Sequence, residues 1–184
     1  MKKADQIKVA QGQGLSNVPQ IWAAARKAGV PFPVACALFQ KESGGRNIYG
    51  HDKGGALSTN GRSVTVQGKT YKPGSTIPVT PANAGIFLLI IGTGALSNGM
   101  GPSQITYARD LPDGRTGGYF RQMLEEGLLP WDAEDNMFFG LRILKGHYNA
   151  NGHSWMKAGA SYNGRDEYGR DLAAKIEDWT DRLR

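Results

Sequence analysis

The apolar residues that follow Asp132 constrain this fold more than any other feature. Met137, Leu141, Leu144 and Tyr148 recur at i, i+4, i+7 and i+11, the spacing of one face of an α-helix. Phe138, Phe139 and Ile143 add a second apolar side. A helix greasy on two sides is a buried, central one, and Asp132 is placed to cap its start. A chain of 184 residues can build one domain with a real core around such a helix and is too short to expect two.

Local punctuation predicts the other elements. Asn17 can cap a helix over 17–28, with Pro19 in its first turn and Gly29 at its end. A second helix over 33–43 stops at Gly44-Gly45. Thr80-Pro81 opens an apolar helix to about 91, and Gly99 to Ser103 form a tight turn before a helix over 104–109. Two helices close the chain, over 154–161 and from 167 or 168 to about 182. Between 58 and 79 the pattern changes to alternation: Val64 and Val66, a Gln67-Gly68 turn, then Lys69-Thr70-Tyr71, which reads as a β-hairpin. Residues 1–16 are polar and Gln/Gly-rich, a loosely docked leader. A hairpin inserted among many helices makes the expected class α+β, mainly α.

Composition narrows the partners. Twenty-two Lys and Arg against 16 Asp and Glu give +6, which suits nucleic acid, an anionic membrane or an anionic bacterial wall. The basic residues form no run and no arginine-rich helix, so no nucleic-acid partner is expected. The greasiest stretch, 84–96, holds Gly85, Gly92 and Gly94 and falls short of the ~20 apolar residues that a membrane span needs. No secretory signal follows the basic start, so the chain is expected to fold in a cytoplasm. The single Cys36 cannot form an internal disulfide; among Val34, Ala35, Ala37 and Leu38 it reads as a buried inert thiol, with a nucleophile as the alternative.

The chemistry points to Glu42. At 100° per residue it falls in the middle of the arc formed by Val34, Ala35, Leu38 and Phe39, one turn beyond Leu38. Its carboxyl would leave the core at a helix C-terminus, just before two glycines. Desolvation and the negative helix end both disfavour its charged form, so its pKa is expected to rise. A carboxylic acid that keeps its proton is what a glycosidic oxygen needs from a general acid. The alternative is a Glu that frays into solvent or pairs with Arg46. Asp52 lies ten residues on, in Tyr49-Gly50-His51-Asp52. It could supply a second carboxylate at about 5–5.5 Å for a retaining glycosidase or about 6.5–9.5 Å for an inverting one. It could equally make an ordinary Asx-turn.

Three blocks carry a family resemblance. Phe39-Gln40-Lys41-Glu42-Ser43-Gly44-Gly45 resembles the helix-end Glu-Ser motif of goose-type lysozymes and soluble lytic transglycosylases. Gly99-Met100-Gly101-Pro102-Ser103-Gln104-Ile105 looks like their cleft-lining Gly-Leu-Met-Gln segment. Ala160-Ser161-Tyr162-Asn163-Gly164 is similar to their Ala-Tyr-Asn-Ala-Gly segment. The blocks stand in the family order and cover roughly 17–184. The Tyr-Gly-His-Asp after the Glu looks most like the lysozyme-like domains of actinobacterial phage endolysins. This sequence departs from the pattern in Pro102-Ser103 and in the 56 residues between Glu42 and Gly99.

The resemblance implies a lysozyme-like fold with two helical parts and a cleft between them. It implies cleavage of the β-1,4 bond between N-acetylmuramic acid and N-acetylglucosamine in peptidoglycan. Glu42 would be the acid and Asp52 the second group, with Ser103, Gln104, Tyr162 and Asn163 positioning the glycan. It implies no cofactor and no metal, a monomer whose partner is the glycan strand, and an endolysin held in the host cytoplasm until released to the wall. The rival readings are a non-catalytic glycan-binding module, a lytic transglycosylase with Glu42 alone, and a zinc peptidase using His51, Asp52, His147 and His153. No His-Glu-x-x-His spacing supports the last. Trp155, Tyr107 and Tyr162 can stack on sugar rings or simply pack between helices.

Overall fold

A computed structural model describes residues 1–49, 64–66, 68–71, 76–84, 99–105 and 118–184. The chain is mainly helical, with short antiparallel β-ribbons. It divides into two compact units, one of 1–45 with 137–184 and one of 46–136, where the sequence predicts a single domain. Among the described residues no helix is long and apolar enough to cross a membrane.

The first unit is built on α1 (Lys3–Gly12), α2 (Val18–Ala28) and α3 (Phe32–Glu42), and on the helical segment 137–184. From Val34 to Phe39 every residue of α3 is buried, so this helix is apolar all round and lies in the middle of the core. It packs against α2 on one side, and α1 packs on α2 in turn. Burying a side chain such as Leu38, at 0% exposure, contributes about 2 kcal/mol. α1 corrects the reading of 1–16 as a loose leader: Ala10 is fully buried and Ile7 and Val9 pack on the core. Its apolar stripe is only three residues wide, which is why the polar composition hid it.

Asn17 stands at the N-cap of α2 as predicted, but in the left-handed region and without a capping bond. Its amide donates instead to the Gly45 carbonyl at 2.9 Å.

The central helix of the second half is α5 (Ala133–Ala150), preceded by α4 (Gly118–Glu125), which the sequence reading did not include. Asp132 caps α5 as expected, its Oδ1 accepting from the Glu134 and Asp135 N–H groups at 2.9 and 3.0 Å. Met137, Leu141 and Leu144 enter the same core cluster as α3. Then come α6 (Trp155–Asn163), capped by Ser154, and α7 (Asp166–Arg182), which packs on both α6 and α3.

The second unit holds the β structure. β1 (Ile48–Tyr49) pairs with β4 (Ile77–Pro78), and β2 (Val64–Val66) pairs with β3 (Lys69–Tyr71), all antiparallel. The register Val64↔Tyr71, Thr65↔Thr70, Val66↔Lys69 is that of the expected hairpin. The hairpin is narrower than 58–79, because Ile77 and Pro78 turn away to pair with Tyr49 and Ile48. Residues 58–63 and 72–75 lie outside the described residues. So does most of the helix expected from Thr80, of which one turn, 81–84, is described. Asn83 Oδ1 closes that turn by accepting from the Thr80 N–H at 2.7 Å.

Candidate active site

Glu42 is the last residue of α3 and is half-buried. The helix stops there because the next three N–H groups, of Ser43, Gly44 and Gly45, all turn back onto the Phe39 carbonyl. Gly44 and Gly45 both adopt positive φ, 70° and 72°, and a Cβ on Gly45 would lie 2.3 Å from the Ser16 carbonyl oxygen. Ser16 N–H donates to the Gly44 carbonyl at 2.9 Å, so the turn is clamped from both sides. The local sequence thereby fixes where the carboxyl leaves the core.

Tyr168 completes the group around that carboxyl. Its hydroxyl donates a hydrogen bond to Glu42 Oε1, across 126 residues of sequence. Burial, then the charge of Glu42, push the Tyr168 hydroxyl far above its ordinary value, with Tyr162, the hydrogen bond to Glu42 and Asp171 adding to the rise. The raised value favours the protonated hydroxyl, the form that donates to the Glu42 carboxyl. Lys41 lies over the Tyr168 ring, its Nζ 4.4 Å from the centroid, and is paired with Asp171 one turn further along α7. The hydrogen bond from Lys41 holds the Asp171 carboxyl below the usual range.

Tyr162 of α6 stacks on Tyr168, with centroids 6.4 Å apart and planes 27° from parallel. This layer exists because α6 and α7 cross almost backbone to backbone. A Cβ on Gly169 would sit 2.2 Å from the Met156 carbonyl oxygen and 2.8 Å from the Ala160 nitrogen. Opposite it, a Cβ on Gly159 would meet Leu172 Cδ2 at 2.8 Å. Asn163 is the exposed last residue of α6, followed by the Gly164 cap. Of the predicted residues, the structure thus brings Glu42 and Tyr162 together through Tyr168, a residue the sequence reading used only as a helix boundary. Tyr168 stands at i, i+3 with Asp171, a spacing that signals nothing until the helices cross.

In the second unit, Ser103 and Gln104 sit in a tight turn. Met100 and Ile105 exchange backbone bonds at 3.0 and 2.9 Å, which closes a tight turn. Gln104 and Ile105 therefore belong to the turn and not to the helix expected over 104–109, of which 106–109 lie outside the described residues. Ser103 is buried at 2% exposure, with its N–H on Asn136 Oδ1 at 2.8 Å and its Oγ on the Asn136 carbonyl at 2.9 Å. Its backbone N–H and its hydroxyl both donate to Asn136. Gln104 is half-buried at φ 48°, and its Nε2 donates to the Gly101 carbonyl at 2.8 Å and that of Ile48 at 3.3 Å. The organiser is Asn136, which no local pattern in the sequence singles out. Fully buried, it donates to the Met100 and Pro130 carbonyls, both at 3.0 Å. Gly101, at φ 75°, leaves no room for a Cβ, which would lie 2.5 Å from the Asn136 amide.

Asp52, His51 and Tyr107 lie outside the described residues. Trp155 stacks on Tyr148 at 3.9 Å, and His153 meets the same ring edge-on at 5.2 Å. Among the described residues no three His, Cys, Asp or Glu side chains gather as a metal site. Cys36 is buried, and burial pushes its thiol far above the ordinary value, which leaves little nucleophilic thiolate. No protein-family model, curated protein or solved structure matches this chain.

Proposed function

We propose that this chain is a peptidoglycan glycosidase with a lysozyme-like fold, of the phage endolysin kind, and that Glu42 is its general acid. The observation that carries this reading is the triad Glu42, Tyr168 and Tyr162: a half-buried carboxyl at a helix end, held by a tyrosine hydroxyl, beside a layered pair of rings. The half-buried Tyr162 ring suits the flat face of a sugar, and the held carboxyl suits in-place proton delivery. The three ordered sequence blocks point the same way.

In the reaction, Glu42 gives its proton to the oxygen between N-acetylmuramic acid and N-acetylglucosamine, and the bond from that oxygen to the anomeric carbon breaks. Water then adds at the anomeric carbon and loses a proton to a second carboxylate, for which Asp52 is the proposed residue. Gln104, Tyr162 and Asn163 are the proposed glycan contacts. The chemistry requires no cofactor, and the protein is proposed to work as a monomer on glycan strands.

Mass spectrometry of digested peptidoglycan tests the reading. Hydrolysis gives new reducing N-acetylmuramic acid ends, and Asp52→Ala lowers their rate by ~10²-fold or more. Mainly 1,6-anhydro ends, with Asp52→Ala near normal, would leave Glu42 acting alone in a transglycosylase. Intact glycan with clipped stem peptides would end the glycosidase reading.

A further inference from the structure

The formal charge of +6 is confined to one unit. The first unit holds fourteen Lys and Arg against eight Asp and Glu, while the second holds eight of each. Within the first unit the charges are segregated again. No Asp or Glu occurs between Asp5 and Glu42, nor between Asp135 and Asp166, whereas α7 alone carries six acids. Helices α2 and α6, and the part of α5 in this unit, therefore present cations and no carboxylates.

Several of the cations of this unit lie over aromatic rings. Lys3 and Arg26 lie over Trp22 at 3.9 and 4.9 Å, and Lys27 and Arg142 lie over Phe138 at 4.2 and 5.6 Å. Lys3, Arg26 and Lys27 are exposed, and none of them takes part in an ion pair among the described residues. A cation over a ring keeps its full charge toward solvent, yet loses much of its freedom. From this we infer that the α1–α2–α5 face docks a linear phosphodiester polymer of the bacterial wall. The charge pattern motivates a polyanion; the choice of a wall polymer rests on the glycosidase reading above.

Two observations disfavour other polyanions. Reading single-stranded nucleic acid requires aromatic faces open to bases, and Trp22 and Phe138 are already covered by cations. Insertion into an anionic lipid surface requires large exposed apolar residues, and in the first unit those among the described residues are Met1 and Met156. What remains is a group of exposed cations gathered around Trp22 and Phe138, suited to a chain of phosphates. A polymer anchored in the same wall as the substrate would raise the local glycan concentration.

The test is titration calorimetry with soluble poly(glycerol phosphate), on a Glu42→Gln background so that binding is measured without cleavage. The triple variant Lys3→Gln, Arg26→Gln, Lys27→Gln should bind at least about tenfold more weakly, with a log–log salt slope shallower by about two. A control of equal charge loss on α7, Arg170→Gln, Lys175→Gln, Arg182→Gln, should bind within about twofold of the parent, since the face and not the net charge recognises the polymer. The three single substitutions on the docking face, all at exposed positions, should each show part of the loss and keep the test valid should the triple fail to fold. Equal loss in the α7 control, no loss in the face variants, or tighter binding to oligo(dT) or phosphatidylglycerol vesicles than to the polymer would overturn the inference. Binding of the polymer without any wall cleavage by the parent chain would remove the glycosidase reading alone. Wall cleavage without polymer binding would remove this inference alone.

Discussion

The two units solve the problem of order by different means. The first, 1–45 with 137–184, buries the apolar run 34–39 of helix α3 among its neighbours and carries the whole net charge. The second, 46–136, is neutral, and its described part is organised by short ribbons and the buried amide of Asn136. Area burial is forgiving of small changes, since each contact contributes little and many share the load. A buried hydrogen-bond hub is not, because removing one partner strands several polar groups at once. The comparison therefore predicts that chemistry and robustness are concentrated in the first unit and fragility in the second.

The largest effect should come from Glu42→Gln, which keeps the shape and removes the proton. Turbidity clearing of cell walls should fall by ~10²–10⁴-fold, with the melting temperature within a few degrees of the parent. More than a tenth of the activity remaining would take Glu42 out of the chemistry. Next is Asn136→Ala, which leaves the Ser103 N–H and the Met100 and Pro130 carbonyls without their partner. It should cost about 3 kcal/mol. Hydrogen exchange should show the loss at 99–105 before it reaches α3; protection lost evenly in both units would break the comparison.

Tyr168→Phe should be milder. It removes a donor that orients Glu42 while keeping the ring on Tyr162 and Lys41, so kcat should fall about tenfold with little change in KM. A drop in KM alone, or in stability alone, would make Tyr168 a packing residue. The smallest effect belongs to the Lys41–Asp171 pair. Asp171 has a depressed folded pKa, so its contribution is present above the ordinary carboxylate value of about 3.9 and is lost as pH falls below it. Asp171 is 46% exposed, so solvent screening limits the pair to under about 1 kcal/mol. Asp171→Asn should lower stability slightly at pH 7 and leave it unchanged near pH 2. An equal loss at both would place the effect in packing.

Local physics made much of the first unit legible. The limits of α2, α3 and α5 follow from Pro19, Gly29, Gly44-Gly45 and Asp132, and their burial follows from apolar periodicity, because caps and helical faces are set by residues within one or two turns. Glu42 was legible for the same reason: its position relative to Leu38 and the glycines is a local fact. Asn136 and Tyr168 were not. Nothing within a turn of either residue signals its role. Asn136 becomes a hub only when 99–105 closes over it, 33 residues back in sequence for Ser103. Tyr168 meets Glu42 only once α7 packs on α3, and it meets Tyr162 because Gly159 and Gly169 let α6 and α7 cross at backbone distance. The sequence alone determined which segments are helices and where a carboxyl leaves the core. The tertiary structure decided what meets that carboxyl, because contacts across more than a hundred residues depend on how closely two helices pack, a steric property of the pair and not of either strand of sequence.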